Sequence, residues 1–299
     1  MIDISIIIVT YNSIGFIENC LESISKQAYK GFEIIVVDND SQDKTIEFIK
    51  RKYPQIGLIE NKQNKGFPFA CNQGIKVAKG KYILTLNSDV ILENDFLYRI
   101  KKAMDDAGLD VGMISPKLLW AKDKKIIDCT GIVLSWMRKF YGRGRGEVDE
   151  GQYACESEIF GPCAAAALYK REMLEDIKIS GEYFDSDFFL LIEDFDLVWR
   201  AKNRGWKALY TPEAVCYHVR NISGMKNKYI QYLCFRNRYF LILKNESLIG
   251  FLRYFVVFFI YDLWRNSHML IMNTRYFLKA CYELIRISPK MLKRRYKYL

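Results

Sequence analysis

An α/β fold, with a mostly parallel sheet flanked by helices, is what this 299-residue sequence predicts, on three observations. Apolar, β-branched runs alternate with segments of helical spacing from residue 4 to residue 115. The runs are continuously apolar rather than alternating, as strands covered on both faces require. They also stop at polar clusters, and in doubly wound sheets ligands bind beyond the carboxyl ends of the strands.

The elements follow in order. Ile4 to Val9 is a first strand, after which Ile14, Ile17, Leu21 and Ile24 recur at helical spacing with Ser13 as N-cap. Phe32 to Val37 is a second strand ending at Asp38, residues 42–53 a second helix, and Ile56 to Ile59 a third strand. A helix from Pro68 to Ala78 precedes a fourth strand, Tyr82 to Leu86. Asp95 to Ala107 is again helical, and Val111 to Ser115 extended. Met137 to Gln152, rich in Gly, Arg and acids, reads as a mobile excursion rather than a linker, because apolar structure resumes at Ile159. Residues 159–224 then complete one domain of residues 1–224, and residues 225–299 form a helical, basic, aromatic-rich extension.

Half the residues are apolar, which excludes wholesale disorder. Eight scattered cysteines without a C-x-x-C pair argue against a structural zinc site and a disulfide framework, so a reduced cytoplasmic setting is expected. The opening Ile4-Ser5-Ile6-Ile7 has no basic flank or small-residue cleavage site and reads as a strand, not a signal peptide. The net charge of +10 is uneven. From Met225 onward 15 Lys and Arg face three acids, leaving 30 bases and 32 acids before it.

Three polar clusters should share one rim of the sheet: Thr10-Tyr11-Asn12, Asp38-Asn39-Asp40 and Asn87-Ser88-Asp89. A turn explains any one of them, and explains all three together less well. "NKGFPFACNQG", Asn64 to Gly74, places Gly66 where backbone can approach closely and a helix N-terminus that could face a diphosphate. "EDFDLVWR", Glu193 to Arg200, is either a helix start that favours acids or a pair of functional carboxylates. His218 in "YHVRNISG" is one of two histidines, and nearby Arg220 suits a phosphate. The small-residue run Gly161-Pro162-Cys163-Ala164-Ala165 suits close packing.

Together "SIIIVTYN", "IIVVDNDSQDKT", "NKGFPFACNQG", "LNSD" and "EDFDLVWR" resemble the family 2 glycosyltransferases of GT-A fold, in their rhamnosyltransferase-like branch, over about residues 1–224. The resemblance implies a donor half at about residues 1–115 and an acceptor half at about 116–224. It implies that Asp38 reads a pyrimidine base, whose imide N–H a carboxylate can accept. Thr10, Tyr11, Asn12, Asn64, Gly66, Phe67, Asn72, Asn87 and Ser88 would join it at the donor, with Arg220 at the phosphates. "LNSD" stands where the family carries D-x-D, with Asn87 in place of the first Asp. Asp89 is then the carboxylate ligand of Mg²⁺ or Mn²⁺, and His218 a second ligand to metal or diphosphate. Asp194 would be the general base, with Glu193 orienting the acceptor. The GPCAA run resembles the family's acceptor-site segment.

Leu248 to Trp264 is the most apolar stretch, but Arg253 and Asp262 leave only Tyr254 to Tyr261 uncharged, far short of the ~20 residues that span a bilayer. It reads as a helix lying in the interface of an anionic membrane, aided by the five bases of "PKMLKRRYKYL". Packing on the catalytic domain, or a homodimer through these helices, is the alternative. No nucleic-acid-binding pattern is present.

The expected function is an inverting, metal-dependent glycosyltransferase, peripheral on the inner face of the cell membrane. Its donor would be a dTDP- or UDP-sugar, dTDP-L-rhamnose by the resemblance, and its acceptor a glycan or lipid-linked glycan of the cell surface. Two rivals stand. A non-catalytic nucleotide- or partner-binding module at the membrane surface would tolerate Asn87. A sugar nucleotidyltransferase would need a Gly-rich basic loop after strand one, where this chain has Thr10-Tyr11-Asn12-Ser13.

Overall fold

The computed structural model describes residues 2–220 and 227–295. Strands β1 (Ile4–Thr10), β2 (Phe32–Asp38), β3 (Gly57–Glu60) and β4 (Tyr82–Asn87) alternate with helices α1 (Ile17–Ser25), α2 (Thr45–Lys52) and α3 (Phe67–Val77). Then come β5 (Val90–Leu92), α4 (Phe96–Asp106), β6 (Val111–Trp120), β7 (Ile127–Cys129), β8 (Ile132–Leu134), β9 (Phe140–Gly142) and β10 (Ser157–Ile159). β11 (Ala166–Lys170), α5 (Arg171–Asp176), a 3₁₀ turn (Ser186–Phe188), α6 (Glu193–Asn203) and β12 (Lys207–His218) follow. Three helices, α7 (Lys228–Asn245), α8 (Leu248–Met272) and α9 (Thr274–Arg295), end the described chain. The domain boundary expected at 224 and the last four residues of the basic tail lie outside the described residues.

The main sheet runs β10-β12-β6-β11-β4-β1-β2-β3. β1 pairs in parallel with β2 and β4, β2 with β3, and β12 with β6. β11 runs antiparallel between β4 and β6, which leaves those two pointing the same way. The expected mostly parallel sheet is therefore a mixed one, with β3, β2, β1, β4, β6 and β12 sharing a direction. Its core includes the β-branched run of β1, with Ile4, Ile6 and Ile8 fully buried, in one cluster with Cys20, Leu21 and Ile24 of α1.

Register carries the function. Thr10 stands opposite Asp38 on β2, and Val9 opposite Asn87 on β4, so the three polar clusters leave the sheet on one rim. Ser13 does not cap α1. Its N–H donates to Thr45 Oγ1 at 2.9 Å, and its carbonyl accepts the N–H groups of Phe16 and Ile17, making a turn that delays the helix to Ile17. The Gly- and Arg-rich excursion, expected to be mobile, is tied into the domain. Its β9 pairs with β8, and Arg143 donates to Thr130 Oγ1 and Ser157 Oγ at 3.0 Å each.

The C-terminal helices do two different things. α7 and α9 pack on each other through Tyr232, Leu233, Phe235 and Ala280, and cover residues 185–192. α8 instead leaves Leu252, Val256, Phe259, Ile260, Leu263 and Trp264 exposed. No described helix is long and apolar enough to cross a membrane.

Candidate active site

The rim is built by hydrogen bonds between strand ends. Asn39 N–H donates to Thr10 O at 2.8 Å, Asn12 N–H to Ser41 Oγ at 2.9 Å, and Gln42 N–H to Asn12 Oδ1 at 2.7 Å. Ser88 Oγ lies 3.0 Å from Ser13 Oγ, joining the end of β4 to that of β1. The cleft above, about 400 Å³, is lined by Tyr11, Asn12, Asn64, Gly66, Phe67, Asn87, Ser88 and Asp89, all expected at the donor or the metal.

Four expected donor residues do not line that cleft: Asp38, Thr10, Asn72 and Arg220, the last held at Asp128. Asp38 is fully buried, and its carboxylate accepts from Thr10 Oγ1 (2.9 Å), Ser41 N–H (2.8 Å) and Ser41 Oγ (2.5 Å). Thr10 is buried with it, and Asn39 rather than Asp38 faces the cleft. Asn72 points inward, where its Oδ1 accepts the N–H groups of Tyr183 and Phe184 and its Nδ2 donates to Phe184 O at 2.7 Å. It fastens α3 to the segment leading into α6.

Gly66 makes a close approach, but to the protein's own backbone. It has φ +89°, and a Cβ there would lie 2.2 Å from Phe189 O. Phe67 N–H donates to the same carbonyl at 2.8 Å, and Asn39 Nδ2 to Gly66 O at 3.0 Å. The cleft is thus bound directly to the loop that leads into α6.

At the end of β12, His218 stands between two carboxylates. Its Nδ1 is 2.8 Å from Asp128 Oδ2 on β7, and its Nε2 is 3.2 Å from Asp89 Oδ1. Burial opposes the imidazole's charge, but Asp128 and Asp89 outweigh it and raise the pKa to about 9. Arg220 Nε lies 2.5 Å from Asp128 Oδ1, and with His218 holds that carboxyl low despite its burial. Arg220 is therefore committed first to Asp128. Asp128 was not singled out in the sequence, where its only signal is one acid inside the apolar run "KIIDCTGIV".

Among the described residues, no group of three or more His, Cys, Asp and Glu could hold a cation alone. Asp89 and His218 offer one carboxylate and one imidazole. Asp128 on Nδ1 leaves Nε2 as the donor atom, the outer-shell arrangement that orients metal-binding histidines. With diphosphate oxygens as the remaining ligands, this donor set fits Mg²⁺ or Mn²⁺.

Glu193 and Asp194 open α6, where three acids in the first turn meet the positive end of the helix dipole. Both are buried. Asp194 Oδ1 accepts Phe195 N–H at 2.9 Å and its Oδ2 accepts Ala164 N–H at 3.4 Å, yet burial still raises its pKa. Glu193 Oε2 is buried without a partner, and burial, then Asp194, push this carboxyl up to about 8. Ala164 belongs to the small-residue run, and Gly161 keeps that run close to α6: a Cβ there would meet Val198 at 2.3 Å.

The loop before α6 is strained. Phe189, Leu191 and Ile192 all have φ between 65° and 73°, which non-glycine residues rarely adopt. α7 holds it: Asn237 Nδ2 reaches the carbonyls of Phe188, Leu190 and Leu191 at 2.8–2.9 Å, and Arg236 Nη2 donates to Phe188 O at 2.8 Å. Lys244 Nζ sits between Asp185 (2.7 Å) and Asp196 (2.8 Å), and Arg294 of α9 pairs with Asp185 and Asp187. None of these helical residues was legible as functional, because each acts on backbone or acids far away in sequence.

A second cavity, about 580 Å³, holds Glu193, Asp194, His218, Arg220, Ala164 and Ala165 together. Its far wall is helical, with Gln231, Phe235, Arg265 and His268, so both histidines of the chain face it. Cleft and cavity meet at Phe67, Asn87 and Leu190. A donor placed along the rim would thus end beside a chamber carrying two carboxyls of raised pKa.

Comparison with known proteins agrees with this architecture. Over 217 residues the chain is 25% identical to poly-beta-1,6-N-acetyl-D-glucosamine synthase of Staphylococcus aureus, covering 72% of this chain and 49% of that protein. A shorter stretch of 102 residues is 40% identical to poly(ribitol-phosphate) beta-glucosyltransferase of Bacillus spizizenii, covering 32% of this chain and 16% of that protein. The chain thus spans about half the length, or less, of these relatives. Its fold is similar to that of the mannosyltransferase PcManGT from Pyrobaculum calidifontis in complex with GDP-Man and Mn²⁺. There the TM-score is 0.57 and the identity 19%, over 96% of this chain and 75% of that one. The family model for glycosyl transferase family 2 matches residues 5–178, more than half of the sequence, and the chain belongs to that family.

Proposed function

We propose that this protein is an inverting glycosyltransferase that moves a sugar from a nucleoside diphosphate to a hydroxyl of a glycan or lipid-linked glycan in cell-surface polysaccharide synthesis. The observation that carries the reading is the junction at Asn87, where the rim cleft with Asp89 opens onto the cavity with Asp194. Tyr11, Asn12, Asn64, Gly66, Phe67, Asn87 and Ser88 line the donor side, and Asp89 with His218 would hold the divalent cation. That cation, when bound, offsets charge on the departing diphosphate. His218 would hold that cation as the neutral imidazole, giving up the proton that Asp89 and Asp128 otherwise favour.

In the transfer step Asp194 takes the proton of the acceptor hydroxyl. The hydroxyl oxygen forms its bond to the anomeric carbon as the bond to the diphosphate oxygen breaks, and that electron pair leaves with the diphosphate. Burial makes Asp194 a stronger base than an exposed carboxylate. Glu193, neutral at pH 7 with a carboxyl near 8, orients the acceptor by hydrogen bonding. Asp38, with Thr10, braces the rim from beneath.

The resemblance names dTDP-L-rhamnose as donor, while the relatives' names carry N-acetylglucosamine, glucose and mannose, so the sugar is the point to test. A panel of dTDP-L-rhamnose, UDP-glucose, UDP-N-acetylglucosamine and GDP-mannose, scored by thermal shift with Mn²⁺, tests the donor reading directly. One donor should stabilise the protein, by about 2.7 kcal/mol at a hundred times its Kd. Absence of any shift across the panel contradicts it.

The membrane reading rests on the exposed apolar face of α8 beside a basic chain end. Phe259→Ser together with Ile260→Ser should lower binding to phosphatidylglycerol vesicles without changing donor binding. Unchanged partitioning would favour a dimer through these helices.

A further inference from the structure

We propose that the acceptor cavity carries an anion subsite on its helical wall, where Arg265 holds a phosphate ester of the acceptor. This rests on the reading of that cavity as the acceptor site. Arg265, on α8, lines the cavity with Gln231 and His268. Its Nη2 donates to Cys234 O at 3.0 Å, and its guanidinium lies over the Phe235 ring at 5.0 Å. Its Nη1 is buried with no hydrogen-bond partner.

The acid closest in sequence, Asp262, is already taken by Arg238, whose guanidinium nitrogens lie 3.1 and 3.3 Å from it. Burial, and then Arg238, push the pKa of Arg265 down, against the smaller opposing effects of Tyr239, Tyr261 and Asp262. A half-buried guanidinium with an unmet N–H is costly unless an anion completes it. Its planar fork matches two phosphate oxygens. The same cavity holds Asp194, whose carboxylate repels an anion, and Glu193, whose neutral carboxyl suits a hydroxyl. An acceptor is thereby oriented, hydroxyl toward Asp194 and phosphate toward Arg265.

A phosphate ester could come from a lipid anchor or from a phosphodiester in a soluble polymer. The intact chain is tested with two probes, sn-glycerol 3-phosphate against glycerol, and phosphatidylcholine vesicles with and without hexadecyl phosphate. In wild type at least one phosphate probe binds better than its neutral counterpart, and Arg265→Gln weakens that binding about tenfold or more, the loss of one charged contact. Arg265→Lys keeps the charge but not the planar fork, and binds the phosphate probe more weakly than wild type. Binding of the soluble probe assigns the polymer source, and binding of the vesicle probe alone assigns the lipid source. If wild type binds neither, or Arg265→Gln binds as wild type does, the subsite is refuted. Should Arg265→Gln fail to fold, the Lys variant and wild-type discrimination still decide. Failure of the donor panel, with the phosphate effect intact, would overturn the glycosyltransferase reading and leave the anion site standing.

Discussion

Two pairs of carboxylates lie within twelve residues of each other and are equally buried, yet their surroundings are opposite. Asp185 and Asp196 share Lys244, with Arg294 on the first and Arg200 on the second at 2.9 Å. Burial alone would raise Asp185, but Lys244 and Arg294 outweigh it and hold the carboxyl well below the usual range. Glu193 and Asp194, between them in sequence, make no salt bridge among the described residues, and both are raised. Burial alone does not decide which of these acids is raised. The counter-ion does, and α6, α7 and α9 supply it through Arg200, Lys244 and Arg294.

The largest effect should come from breaking the charged pair. Lys244→Met leaves two buried acids short of their shared cation and should cost about 3–5 kcal/mol in denaturant unfolding. A cost below about 1 kcal/mol would mean that the network contributes little.

The raised pair can be isolated through pH. A folded-state value of about 8 for Glu193 lies above its ordinary 4.5, so its contribution is full at acid pH and is lost as pH rises through 8. Stability of the wild type relative to Glu193→Gln should therefore fall between about pH 5 and 8. A flat difference would show that Glu193 titrates as an exposed acid does. Asp185 has the reverse sign: its contribution is present above the ordinary value of 3.8 and is lost as pH falls below it.

The smallest effect lies on the donor side. Asn87→Asp restores a second carboxylate beside Asp89 and should tighten Mn²⁺ binding about tenfold, or ~1.4 kcal/mol, by calorimetry with donor present. Unchanged affinity would place Asn87 outside the ion's reach.

What the sequence made legible was local. β1 to β4 and their helices could be read because apolar runs and helical spacing report on neighbours within one element. The rim could be read because parallel strands carry their ends to the same side. β11 was not legible, since "AALYK" carries no sign of direction, and its antiparallel insertion is set by partners 80 residues upstream. Asp128 escaped because its partner His218 is 90 residues away. Asn72 misled because a polar side chain that suits a ligand also suits an unmet backbone group, and here the backbone claimed it. In the tail, composition pointed to the membrane and gave no sign that Asn237 and Lys244 hold the segment around α6.

The central claim is that Asp194, which makes no salt bridge among the described residues, is the base of sugar transfer. Transfer and donor affinity should be measured together for Asp194→Asn with the donor identified by the panel. The account predicts that transfer falls by at least about 10²-fold, within the range of general-base catalysis, while donor binding stays as in wild type. Transfer at the wild-type rate by Asp194→Asn would contradict it.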